Sequence, residues 1–173
     1  MKGITIAPLT DRPHIRRSLS ELLVETVASG GSVSFMHPLP LETADAFWRD
    51  SLAAVARGDR IVLGALDSET VVATVTLLLG LPPNQPHRAE IAKMMTRLSH
   101  RHRGIATALM GEAEKMAIER GRTLLVLDTA VDEGASPLYE SLGFNLTGII
   151  PDYALRPYGG LTGTMIYWKK IAA

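Results

Sequence analysis

The chain has 173 residues, 46% of them hydrophobic, with 18 Lys+Arg balanced by 18 Asp+Glu and no cysteine. This length and composition give one domain, residues 1–173, with a full core, and they lack the basic excess that general nucleic-acid or membrane-surface binding needs. Without cysteine there is no disulfide, no thiolate metal site and no Cys nucleophile. The segment after Met1 lacks the apolar core of a signal peptide, and the longest apolar run, 71–81, is too short to span a bilayer. A soluble, cytoplasmic protein is expected.

Ile4–Pro8 alternates apolar and polar residues as a short strand does. Thr10-Asp11-Arg12-Pro13 reads as a helix start, with Thr10 or Asp11 as cap and Pro13 in the first turn. Ile15, Leu19, Leu22, Leu23 and Val27 then recur at helical spacing until Ser29-Gly30-Gly31. The loop 32–40 carries Phe35, Met36 and His37, and a second helix runs over 42–56. Two β-branched, apolar runs, 61–66 and 71–79, flank Asp67-Ser68-Glu69-Thr70 and predict a hairpin.

A proline-containing loop leads into a strand over 89–96, and a helix follows from 104 to 120 with Ile105, Leu109, Ala113, Met116 and Ala117 on one face. Residues 123–127 read as a compact strand that ends at Asp128. A short helix over 134–142 stops at Gly143, and strands over 144–150 and 164–170 close the sheet. The order β-α-α-β-β-β-α-β-α-β-β predicts an α/β sandwich.

Between the 89–96 strand and its helix lies Arg101-His102-Arg103-Gly104-Ile105-Ala106-Thr107. Gly104 and Ala106 keep the backbone bare, so several N–H groups face one point beside the positive end of the helix dipole. Arg101 and Arg103 add full charges. This is a cradle for an anion, with a pyrophosphate as its natural guest. Neither G-x-x-x-x-G-K-[ST] nor a strand-borne G-x-G-x-x-G is present, which excludes two other phosphate loops.

The R-x-x-G-x-A string at this junction resembles the coenzyme A pyrophosphate loop of the GNAT acetyltransferases, [Q/R]-x-x-G-x-[G/A]. Tyr139-Glu140-Ser141-Leu142-Gly143-Phe144 resembles the family's Y-x-x-x-G-F segment. The resemblance implies a mixed, mainly antiparallel sheet with helices on both faces. It also implies acetyl-CoA as co-substrate, bound by Arg101, His102, Arg103, Gly104, Ile105, Ala106 and Thr107. The pantetheine arm would run along Met94, Met95 and Thr96, with an N–H near Met95 facing the thioester oxygen. The sequence departs from the family at Thr96-Arg97-Leu98, where Val-x-Pro is usual, and at Ala106, where Gly is frequent. Neither change removes a backbone donor from the cradle.

Leu22-Leu23-Val24-Glu25-Thr26-Val27, Gly30 and Ser32-Val33-Ser34-Phe35-Met36 are similar to the first-helix region of the tabtoxin-resistance type of GNAT enzyme, which acetylates an amino-acid-like β-lactam toxin. Ala89-Glu90, Lys93, Met95, Leu124-Leu125, Leu127-Asp128-Thr129 and Tyr139 extend the likeness. It implies an antibiotic- or toxin-resistance N-acetyltransferase working on a small amine in a ternary complex; family habit adds a homodimer.

Transfer to an amine calls for a carboxylate or an ordered water as base; Asp128 and Glu90 are the candidate carboxylates, with Asp128 marked by the resemblance. The Y-x-x-x-G-F resemblance implies that Tyr139 gives its phenolic proton to the departing thiolate or steers the sulfur. Phe35, Met36 and His37 are candidate acceptor contacts. His100 and His102 form an H-x-H on a basic turn without a nearby carboxylate, so no metal site is expected. Two other readings stay open: a protein or peptide N-acetyltransferase, and a non-catalytic acyl-CoA-binding module.

Overall fold

The computed structural model describes residues 3–172 and, at Glu133, the backbone alone. Seven strands form one sheet in the order β1-β2-β3-β4-β5-β7-β6. They are β1 (Ile4–Pro8), β2 (Arg60–Asp67), β3 (Thr70–Leu78), β4 (Arg88–Thr96), β5 (Leu124–Ala130), β6 (Asn145–Leu155) and β7 (Leu161–Lys170). Only β4 and β5 pair in parallel; every other neighbouring pair is antiparallel. The architecture is the mixed, mainly antiparallel α/β sandwich expected from the sequence.

Helices α1 (Pro13–Ala28) and α2 (Leu41–Ala56) cover one face of the sheet, and α3 (Ile105–Ile118) and α4 (Ser136–Ser141) cover the other. Leu19, Leu22, Leu23 and Val27 are fully buried on α1 beside Trp48 and Leu52 of α2. Each such side chain stabilises the fold by about 1.5–3 kcal/mol over an exposed one. On the opposite face Ile105, Leu109, Met110, Ala113 and Ala117 of α3 pack against Val72, Val75 and Leu77 of β3.

Three details depart from the sequence expectations. Arg12, not Thr10 or Asp11, occupies the cap position of α1, without a side-chain cap bond. Pro13 at the first helical position fixes that start, and Asp11 instead accepts from Arg16 at 2.7 Å. β5 does not end at Asp128 but continues to Ala130, because Asp128, Thr129 and Ala130 keep pairing with Ile166, Met165 and Thr164. The β6–β7 hairpin is also longer at its turn end. Pro151 is tolerated because β6 is an edge strand, and Ala154 and Leu155 pair with Thr162 and Leu161.

The decisive feature lies between β4 and β5. Their parallel pairing stops at Ile91↔Leu127. Ala92 faces Thr76 and Met95 faces Thr74, so Lys93 and Met94 together oppose Val75 alone. This bulge, with Lys93 at φ 52, bends β4 away while β5 stays on β7. The two central strands part, and the site forms in the opening.

Candidate active site

The anion cradle starts where β4 ends. The Arg97 N–H donates to Val72 O at 2.8 Å, and its guanidinium reaches Glu25 Oε2 at 3.0 Å and Val71 O at 3.1 Å. The Leu98 N–H donates to Glu25 Oε1 at 2.8 Å. Here the departure from Val-x-Pro acquires a reason: a proline at this position has no N–H to give. Glu25 thereby ties the loop to α1. A single 3₁₀ turn, Leu98–His100, leads into residues 101–104, all of them exposed.

His102 at φ 59 and Gly104 at φ 74 take the left-handed conformation and swing the chain into α3. The first helical bond is Ala108 N to Gly104 O, so the N–H groups of Ile105, Ala106 and Thr107 point out of the helix end. A Cβ at Gly104 would meet nothing within 4 Å, so the backbone there is open to a bulky anion. Arg103 stands exposed beside it, and Arg101 Nε lies 3.4 Å from Thr96 O. The donor set holds N–H groups and cations only, which fits a pyrophosphate. His100, by contrast, is not remote from carboxylates: Asp67 folds back to 3.5 Å from its Nε2, brought there by the β2–β3 turn. No cluster of three or more His, Cys, Asp or Glu placed to hold a metal exists among the described residues.

The parting of β4 and β5 opens a cleft of about 290 Å³. Ala92, Lys93 and Met94 line it from β4, Asp128, Thr129 and Ala130 from β5, and Leu138 and Tyr139 from α4. Its far side is formed by Ser32, Val33 and Ser34 after α1, and by Tyr153, Ala154, Leu155, Thr162, Gly163 and Thr164 of the β6–β7 hairpin. Tyr153 enters because three residues of β6, 151–153, oppose the single Gly163, with Asp152 at φ 52.

The hairpin is fastened over the cleft. Tyr158 Oη donates to Ala28 O at 2.7 Å, the His37 N–H donates to Pro157 O at 2.8 Å, and the His37 and Tyr158 rings stack at 4.4 Å.

Tyr139 is buried, with its ring 6.1 Å from Phe144 and 6.0 Å from Tyr167. Asp128 is exposed to the cleft. Glu90 stands outside this lining. It belongs to a smaller recess with Leu78, Ala92, Val126, Asp128 and Tyr153, and its Oε1 takes Arg88 Nη1 at 2.9 Å. Met95 is buried against the α1–α2 face, whereas Met94 packs toward α3.

Phe35, Met36 and His37 also lie outside the cleft lining, because the loop turns at Ser34 (φ 72). Phe35 packs edge-on against Phe47 at 5.2 Å, Met36 is 45% exposed, and His37 belongs to the clamp on the hairpin.

Lys93 is the cleft residue to which sequence reasoning assigned no role. Its Nζ donates to Ser34 Oγ at 3.1 Å and sits 5.6 Å from the Phe47 ring centroid. Burial holds its ammonium below the usual lysine value; Asp128 opposes the shift and Arg60 adds to it. The available signal was a lone cation in the otherwise apolar run Ile91-Ala92-Lys93-Met94-Met95. Tyr153 carried no comparable signal, since its placement depends on the β6 bulge.

The site therefore has two parts, an N–H-rich turn between β4 and α3 and a cleft where the parallel strands β4 and β5 part. The sequence model of the acetyltransferase (GNAT) family matches residues 24–144, and the chain belongs to that family. Solved structures share the fold at low identity. A phosphinothricin acetyltransferase from Sinorhizobium meliloti in complex with acetyl-CoA superposes with a TM-score of 0.82 at 17% identity, over 98% of this chain and 89% of that one. A GCN5-related N-acetyltransferase from Kribbella flavida gives 0.80 at 20% identity, over 98% and 99%. A ribosomal-protein-alanine N-acetyltransferase from Brucella melitensis gives 0.80 at 19% identity, over 96% and 99%.

Proposed function

We propose that this enzyme is an acetyl-CoA-dependent N-acetyltransferase that modifies a small, amino-acid-like amine by direct transfer in a ternary complex. The observation that carries the reading is the enclosure of the acceptor side. The β6–β7 hairpin, clamped to residues 28–37 by Tyr158 and His37, walls a cleft of about 290 Å³. That volume suits a small molecule better than an extended peptide. The likeness of residues 22–36 to the tabtoxin-resistance type makes a β-lactam amino acid the favoured acceptor.

The cradle at 101–107 holds the pyrophosphate, and the β4 edge over Met94, Met95 and Thr96, freed from β5, receives the pantetheine arm. When bound, acetyl-CoA supplies the acetyl group as a thioester. The N–H groups around the Lys93–Met94 bulge stand where β4 has no parallel partner, suited to polarising an acyl oxygen. Asp128 orients the amine and accepts its proton. An alkyl amine is about 3 units too basic at neutral pH, so delivering the neutral form costs roughly 4 kcal/mol without such a base. Asp128 is preferred to Glu90 because it faces the cleft while Glu90 is engaged by Arg88. The Tyr139 hydroxyl protonates the departing sulfur. No covalent enzyme intermediate is required.

The test is release of free thiol from acetyl-CoA across amino acids, polyamines, β-lactam amino acids and peptides. Turnover with a small amine and not with peptides supports the reading. Turnover of peptides alone would replace it with a protein-modifying enzyme. A rise in Tm with acetyl-CoA and no turnover anywhere would replace it with an acyl-CoA-binding module.

A further inference from the structure

The acceptor side of the cleft contains a cation that the transfer chemistry above does not use. The β4 bulge turns Lys93 into the cleft, and among the described residues its Nζ is held by neutral groups, the Ser34 hydroxyl at 3.1 Å and the Phe47 ring at 5.6 Å. No carboxylate of the described residues lies within ion-pair distance of it, although Asp128 lines the same cleft. Other donors gather on this face of the sheet. Arg60 Nε and Thr76 Oγ1 are buried without hydrogen-bond partners among the described residues, and Thr76 is the register neighbour of Ala92. A partly buried ammonium among neutral and donor groups is costly unless an anion meets it.

We propose that Lys93 is the specificity residue for the acceptor's anionic group. Its ammonium takes the carboxylate of an α-amino acid whose amine faces Asp128, so amino carboxylates are acetylated in preference to plain amines. The two charged ends of the cleft, cation at Lys93 and anion at Asp128, match the two ends of a zwitterion. Burial already holds the Lys93 ammonium below its usual range, and a bound carboxylate would reverse that. Phe35 then acts as a positioning residue: it supports Phe47, whose face carries the ammonium. The inference rests on the N-acetyltransferase reading and sharpens it.

The experiment compares kcat/KM for L-amino acids with those for the matching decarboxylated amines and carboxamides, using the wild-type enzyme. The two controls bracket the basicity of the amine, so a drop in both is an effect of the missing carboxylate. A preference of about 10–100-fold for the carboxylates is expected, the range of a partly buried charge-assisted pair. Lys93→Met should abolish the preference by raising KM while kcat stays near wild type, and Lys93→Arg should restore part of it. An equal rise in Tm with acetyl-CoA in all three proteins checks that the fold and cradle persist. Equal turnover of carboxylates and their neutral counterparts by the wild type would overturn the inference alone. So would a preference that survives in Lys93→Met. Turnover of neither class would overturn the acceptor reading and this inference with it.

Discussion

The cleft is lined by β4 and the cradle follows it in the chain, yet they are built on opposite plans. The cradle is seven consecutive residues whose useful groups are mostly backbone N–H donors, fixed by two left-handed residues and the start of α3. The cleft draws side chains from the α1–α2 loop, β4, β5, α4 and the β6–β7 hairpin, spread from Ser32 to Thr164. A site made of contiguous backbone tolerates side-chain change as long as φ and ψ are kept. A site assembled from distant segments depends on every junction that sets their distance. The first plan suits a cofactor common to a family, and the second suits an acceptor particular to one enzyme.

The sharpest way to break this contrast is to strip the chemistry from the cleft while leaving the cradle alone. Tyr139→Phe and Asp128→Asn should each lower kcat by about 10²–10³-fold, within the range of a lost proton-transfer group. Acetyl-CoA affinity, measured by calorimetry, should stay within about twofold, since neither group belongs to the cradle. Unchanged turnover in Tyr139→Phe would remove its assigned role.

The reverse experiment is Gly104→Val. At φ 74 a β-branched residue costs about 1–2 kcal/mol, and its side chain would fill the open space proposed for the anion. Acetyl-CoA Kd should rise about 10–30-fold with kcat at saturation little altered. A fall in kcat without a change in Kd would mean that the cradle does not hold the cofactor.

Smaller effects are expected at the junctions. Tyr158→Ala removes both the bond to Ala28 O and the stack on His37. Loosening of the hairpin should raise acceptor KM about 3–10-fold and leave acetyl-CoA Kd unchanged, the loss of one hydrogen bond and one ring contact. A peptide acceptor favoured by the same variant would mark the hairpin as the wall that excludes longer chains.

The smallest effect is on stability. The folded Lys93 titrates below its unfolded value of 10.5, so between the two values the unfolded chain binds more protons. The penalty is therefore full below the folded value, and wild-type stability gains from this site as pH rises toward 10.5. Lys93→Met carries no such penalty, so the difference in Tm, variant minus wild type, should decrease as pH is raised from neutral through that window. A difference that stays flat would mean that Lys93 bears no burial cost.

Local signals were legible where local physics decided the outcome. The helical spacing of Leu19, Leu22, Leu23 and Val27 gave α1 its buried face, and the bare Arg-Gly-Ala turn identified the cradle. Signals failed where pairing partners decided. Asp128 reads as a strand end because the apolar run stops there, but β7 continues the ladder to Ala130. The sequence places the strand end at Ile150, yet β6 runs on through Pro151 because an edge strand needs no N–H from it. Phe35, Met36 and His37 are candidate acceptor contacts in the sequence, with loop packing as the alternative. The turn at Ser34 sends them behind the cleft wall, into Phe47 and the hairpin clamp.

What the sequence alone determined is the order of elements, the fold class and the N–H-rich turn before α3, since each arises from residues within a few positions of one another. The tertiary structure decided where β4 and β5 part, because a bulge at Lys93 and Met94 is defined only against β3. It also decided which loop residues line the cleft and that Lys93 and Asp128 line it together. Those distances are set by strand pairing and helix packing between segments far apart in the chain, and no local pattern encodes them.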